Sequence, residues 1–118
     1  MSDPVGELID ALTPTFLEKN VYIGRTPLTS LERVFGGQVF AQAMRAAQNT
    51  VDKTRQVHSQ HGYFIRPGDP KLPIIYEVTR VRDGRSFSTR SVNAKQEDKI
   101  IFSCLSVSYT HLTLPTNG

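Results

Sequence analysis

The sequence holds a single cysteine, Cys104, among its 118 residues. That excludes a disulfide scaffold and a cysteine-based zinc site, and it fits a reducing compartment. No apolar run approaches the ~20 residues that a membrane-spanning helix needs. The first residues are acidic and polar rather than charged and then greasy, which argues against a secretory leader. Fourteen Lys and Arg against eleven Asp and Glu leave a net charge of +3, with no run of five like charges. So mild and scattered an excess does not point to nucleic acid; it suits a domain that handles an anionic small molecule. No Gly-x-Ser-x-Gly elbow is present to activate a serine. At this length, with 38% hydrophobic and 21% charged residues, one small globular domain is expected.

Residues Met1 to Pro14 read as an amphipathic lead-in, with Val5, Leu8, Ile9 and Leu12 at helical spacing. Phe16 to Arg25 looks like a first strand, followed by a polar loop from Thr26 to Glu32. From Gln38 to Gln48 the chain is free of Gly and Pro and rich in good helix formers. Val39, Phe40, Ala43, Met44, Ala46 and Ala47 make a broad face of mostly small residues, which predicts a central helix packed closely on a sheet. Four strands are then expected: Val57 to Arg66, Pro73 to Val81, Ser86 to Ala94 and Ile100 to Ser108. Asp83-Gly84 carries the signature of a type I′ hairpin turn. In the last strand Ile101, Leu105 and Val107 are read as one face, with Ser106 and Ser108 on the other. One helix covers so many strands only if the sheet curls around it. The predicted class is therefore α+β, a curved antiparallel sheet wrapped around one central helix, which is the arrangement of the hot-dog fold. Its open edge strand calls for a partner.

The Gly36-Gly37 pair at the helix start has two readings. It can be a tight corner that packs closely. It can also present the unpaired amides of the first turn to a carbonyl oxygen and stabilise an oxyanion there, with the Gly37 amide as the donor. His58 and His61, three apart on one strand, are expected on opposite faces. With no third His or Cys nearby, no metal site is expected. Either histidine is carried as a general-base candidate. Arg66 is read either as a turn residue paired to a carboxylate or, like Arg82 and Arg85, as a fork for phosphate oxygens. Cys104 is read as core.

Several strings taken together resemble one family. They are Arg33-Val34-Phe35-Gly36-Gly37-Gln38-Val39 running into the Ala-rich helix, His58-Ser59 with His61-Gly62-Tyr63-Phe64, Arg66-Pro67-Gly68-Asp69, Pro73-Ile74-Ile75-Tyr76-Glu77-Val78, and Arg82-Asp83-Gly84-Arg85-Ser86-Phe87-Ser88. In order and spacing they resemble acyl-CoA thioesterase II, the TesB-type family. That resemblance implies a double hot-dog enzyme that hydrolyses fatty acyl-CoA to free fatty acid and CoA without metal or cofactor. It also implies that the catalytic Asp, Ser or Thr, and Gln lie in a second half, so none of the three is assigned to a residue here. What transfers is Gly36 and Gln38 as substrate-binding residues, the Gly37 amide as an oxyanion donor, and His58 as a catalytic candidate; Arg66 joins the substrate-binding set on the phosphate-fork reading above. On this reading residues 15–109 form the first hot-dog domain. Its partner is a second hot-dog domain or a second copy across the sheet edge. The 118 residues alone are expected to be inactive or nearly so. The alternative is a non-catalytic single hot-dog module that dimerises and binds acyl-CoA or a protein partner. A hot-dog hydratase is set aside, because Gln38 to Thr50 contains neither Asp nor His. Residues 110–118 are read as a tail foreign to the family, resembling translated sequencing-adapter read-through and expected to be poorly ordered. The expected location is intracellular: cytoplasmic in a bacterium, peroxisomal in a eukaryote.

Overall fold

A computed structural model describes residues 12–26 and 36–110. Most of the lead-in stripe and residues 111–118 lie outside the described residues, as does most of the polar loop after Thr26.

Six antiparallel strands form one sheet, in the order β1-β2-β4-β5-β6-β3. In chain order they are β1 Thr15–Glu18, β2 Val21–Gly24, β3 Arg55–Phe64, β4 Ile74–Asp83, β5 Phe87–Gln96 and β6 Lys99–Thr110. The helix α1, Gly36–Gln48, precedes β3 and lies against the inner face of the curved sheet, in contact with β2 through β6. Register shifts in the β1–β2, β3–β6, β4–β5 and β5–β6 ladders are the kind of irregularity that lets a sheet bend round one helix. The α+β hot-dog arrangement is the one the sequence predicts.

The core is built where the small face of α1 meets that curve. Val39, Ala43, Ala46 and Ala47 pack among Tyr22, Ile74, Tyr76, Val78, Val92, Ala94, Ile101, Phe102 and Cys104. Alanines let the helix axis approach the sheet, and the aromatic rings fill the remaining depth. The buried face of α1 also carries two amides absent from the apolar reading. Gln38 donates through Nε2 to the Arg25 carbonyl and to Thr26 Oγ1, at 3.3 and 3.2 Å. Gln42 accepts the Tyr76 hydroxyl at 2.5 Å. Burial pushes the Tyr76 phenol well above its ordinary range, so it stays a donor.

Four details differ from the sequence reading, each for a physical reason. The expected first strand is a hairpin: Glu18 pairs with Val21, and Asn20 turns the chain at φ 65°, a conformation Asn tolerates. The type I′ turn lies elsewhere. Gln96 pairs with Lys99, and the two residues between them, Glu97 and Asp98, take φ of 49° and 65°. Gly84 does not enter the left-handed region; β4 runs through Asp83, and the Gly84 amide closes the connection on the Phe87 carbonyl at 2.7 Å.

The faces of β6 are reversed from Leu105 onward, while Ile101 is buried. Ser106 and Ser108 are buried while Leu105 is 44% exposed. Glutamines cover the serines: Ser106 donates to Gln60, and Ser108 to Gln48 at 3.2 Å. Finally, His58 and His61 share the outer face. Val57 pairs with Ser108 and Ser59 with Val107, so His58 is the extra residue of a bulge that shifts the alternation by one.

Candidate functional site

Beside the start of α1 lies an apolar pocket of about 260 Å³, lined by Gly36, Val39, Phe64, Ile65, Arg66, Pro67, Gly68, Ile101 and Phe102. The antiparallel register makes it. The end of β3 is paired with the beginning of β6, Phe64 opposite Phe102, and both side chains face α1. Phe102 is fully buried, its ring 6.1 Å from Phe40 of the helix and 4.7 Å from Phe64. Beyond Phe64 the strand breaks, because the amides of Ile65 and Arg66 both reach the Ile101 carbonyl, at 2.8 and 3.3 Å. That break wraps residues 65–68 round the pocket rim.

Two residues singled out from the sequence, Gly36 and Arg66, line this pocket. Gly37 follows on the exposed side of the first described turn of α1. Among the described residues no carboxylate pairs with Arg66. Its Nη1 donates to the Ile100 carbonyl at 3.0 Å, which holds a cation at the rim. The Gln38 side chain is turned into the fold by the bonds given above, so what it offers near the pocket is its backbone.

His58 is not part of this constellation. It is exposed on the outer face, edge-on to Tyr109 with ring centroids 5.2 Å apart, and Tyr109 stacks on Phe87. The sheet stands between it and α1. His61, paired with Leu105, is on that outer face too. Among the described residues no cluster of three or more His, Cys, Asp and Glu is placed to hold a metal ion. The Cys104 thiol is buried, which pushes it up to about 11, so at neutral pH it is a core group.

The sequence reading missed Val39, Phe64, Ile101 and Phe102 as pocket walls. A signal was available. Two hydrophobic strand ends that pair antiparallel beside a Gly-Gly helix start must leave space where the glycines supply no side chain.

The opposite end of α1 is polar. Arg90, 2% exposed, donates through Nε to Thr50 Oγ1 at 2.7 Å and through Nη2 to the Thr50 carbonyl at 3.0 Å and Asp83 at 2.8 Å. Arg55 donates to Ser88 Oγ and the Gly84 carbonyl, both at 2.7 Å, and Ser88 donates to Asp83 at 2.8 Å. Hydrogen bonding from Ser88, then from Arg90, holds the Asp83 carboxyl below the usual carboxylate range.

Residues 25–112 match the family model described as the acyl-CoA thioesterase N-terminal domain. The chain belongs to that family. Human acyl-coenzyme A thioesterase 8 is 46% identical over 107 residues, which cover 86% of this chain and 34% of that protein. Acyl-CoA thioesterase 2 of Haemophilus influenzae is 41% identical over 101 residues, 86% of this chain and 35% of its own length. The crystal structure of acyl-CoA thioesterase II TesB2 from Mycobacterium marinum superposes with a TM-score of 0.81 at 40% identity, covering 95% of this chain and 41% of that one. The chain thus spans about a third of the length of these curated thioesterases. Every residue of the pocket lies within the segment that matches the thioesterase domain.

Proposed function

We propose that this chain is the first hot-dog half of an acyl-CoA thioesterase that hydrolyses fatty acyl-CoA to free fatty acid and CoA. The observation that carries the reading is the apolar pocket at the Gly36-Gly37 start of α1, inside the matched thioesterase domain. The acyl tail lies in the pocket, which places the thioester carbonyl at the first turn of the helix. There the Gly37 amide and its neighbours stabilise the oxyanion that forms when water adds to the carbonyl carbon. Collapse of that intermediate breaks the C–S bond, and the CoA sulfur leaves with a proton. Gly36 keeps the approach open and Arg66 draws the anionic CoA portion to the rim.

The described residues bring no general base to Gly37, since His58 lies across the sheet. The groups that position water are therefore assigned to a second hot-dog half, docked along the outward edge of β3. We place the working protein inside the cell, in the cytoplasm of a bacterium or the peroxisome of a eukaryote. A second reading, a non-catalytic hot-dog module that dimerises along the same edge and binds acyl-CoA or a protein, is favoured by the same lack of a base among the described residues.

Thiol release from acyl-CoA by the purified 118-residue chain separates the two. On the thioesterase reading, turnover is at background alone and appears when a second half is supplied in the same chain. Turnover by the 118 residues alone, at the rate of a full-length thioesterase, would overturn the division of catalytic groups. Binding that never leads to hydrolysis with a second half present supports the module.

A further inference from the structure

Four of the pocket's walls differ in one respect that bears on which substrates fit. Val39, Ile101 and Phe102 are buried, and Phe102 is gripped between Phe40 and Phe64. Phe64 is 59% exposed although its ring rests on Phe102. It ends β3, an edge strand of the sheet among the described residues. The ring also lies 3.3–3.4 Å from where a Cβ on Gly36 would sit, so the glycine provides its berth. Three walls are fixed by the core, and the fourth is an aromatic ring that can be resized without emptying it.

The rim carries a direction. Arg66 is exposed and held by the Ile100 carbonyl, while the buried lining is apolar. An amphiphile with an anionic head therefore enters tail first and leaves its head at Arg66. A water takes ~30 Å³ and a methylene fills about as much, so the cavity accepts a tail of roughly eight to ten carbons.

We propose that Phe64 sets the length of acyl tail this domain accepts, and that the native ring selects medium-chain acyl-CoA. This rests on the acyl-CoA reading above and deepens it. Phe64 and the three buried walls belong to this chain, so their effect on tail length is measurable on it directly.

The test is calorimetric titration of the 118-residue chain with hexanoyl- through hexadecanoyl-CoA. Affinity for the native chain rises about fourfold per added methylene while the tail is being buried, then levels off near decanoyl-CoA. Phe64→Ala moves that plateau at least two carbons longer, and Phe64→Leu moves it the same way by less, as a check in a variant that keeps an apolar wall. Phe64→Trp moves it shorter. Leu105→Ala, on the outer face, leaves it in place. A plateau unmoved in all three Phe64 variants, with binding intact, overturns the role of Phe64 and leaves the acyl-CoA reading standing. A native chain that binds no acyl-CoA of any length overturns the acyl-CoA reading and the tail pocket with it.

Discussion

The two ends of α1 solve the same packing problem with opposite chemistry. At its C-terminal end a larger polar cleft, about 420 Å³, is lined by Thr50, Arg55, Asp83, Ser88 and Arg90, bonded to one another and to backbone carbonyls. At its start the neighbours are Val39, Phe64, Ile101 and Phe102, and a cavity of about 260 Å³ is left. No buried side-chain nitrogen or oxygen among the described residues lacks a partner. A closed polar network of that kind tolerates little change, because each removed member strands another. An apolar pocket loses only contacts when a wall is altered. The polar end therefore holds the architecture, and the apolar end is free to adapt to a ligand.

Arg90 gives the hardest test of that division. Arg90→Met keeps most of the buried stem but strands the Thr50 oxygens and releases Asp83. The expected loss is about 3 kcal/mol, the low end for breaking a buried charge pair because Asp83 faces water. The denaturation midpoint measures it. A loss below about 0.5 kcal/mol, the ordinary range for surface substitutions, would mean the polar end is not a keystone.

Gly62→Ala tests the apolar end from beneath. A Cβ there would overlap the Phe102 ring and meet Cys104 Cβ at 3.0 Å. Phe102 is fully buried and has little room to yield, so overpacking costs about 2 kcal/mol. The displaced ring also narrows the pocket, and the variant shows both a lower melting temperature and weaker acyl-CoA binding. Stability lost with binding unchanged would separate Phe102 from the pocket.

Tyr76→Phe lies between the two ends. It deletes the buried hydroxyl that Gln42 accepts and costs about 1.5 kcal/mol by the same unfolding measurement. Binding is unaffected, since Tyr76 does not line the pocket.

How much of this was legible in the sequence divides along the same line. The start of α1 could be read because Gly36-Gly37 and the spacing of Val39, Ala43 and Ala46 are local signals. The strand series could be read from its turns and β-branched runs. The faces of β6 could not. Serine is polar in isolation, and only Gln60 and Gln48, brought from β3 and α1, make burying Ser106 and Ser108 favourable. The position of His58 was hidden for a related reason: a bulge is set by the pairing of Val57 and Ser59 with β6, and no residue type announces it. The polar network was out of reach because it joins Thr50, Arg55 and Arg90 from three separate segments. Of the pocket, Gly36 was found as a helix-start glycine and Arg66 as a cation fit for phosphate, whereas the Phe64–Phe102 wall needed the register.

The smallest effect expected is in the pH dependence of the polar end. Asp83 is held below its ordinary value of 3.8 by Ser88 and Arg90. The folded state thus binds its proton less readily than the unfolded chain. The stability this contributes is present in full above the unfolded value and is lost as pH falls through it toward the lower folded value. Asp83→Asn removes this linkage, so native and variant chains differ at neutral pH and converge as pH falls below 3.8 toward the lower folded value. Because the Asp83 side chain is 53% exposed, the gap at neutral pH is a fraction of that from Arg90→Met. Urea midpoints for both chains between pH 3 and pH 7 measure it. A gap that stays constant across that range would show that Arg90 is held by Thr50 and the Arg82 and Thr89 carbonyls, and that the carboxylate is a bystander at the end of the helix where the network closes.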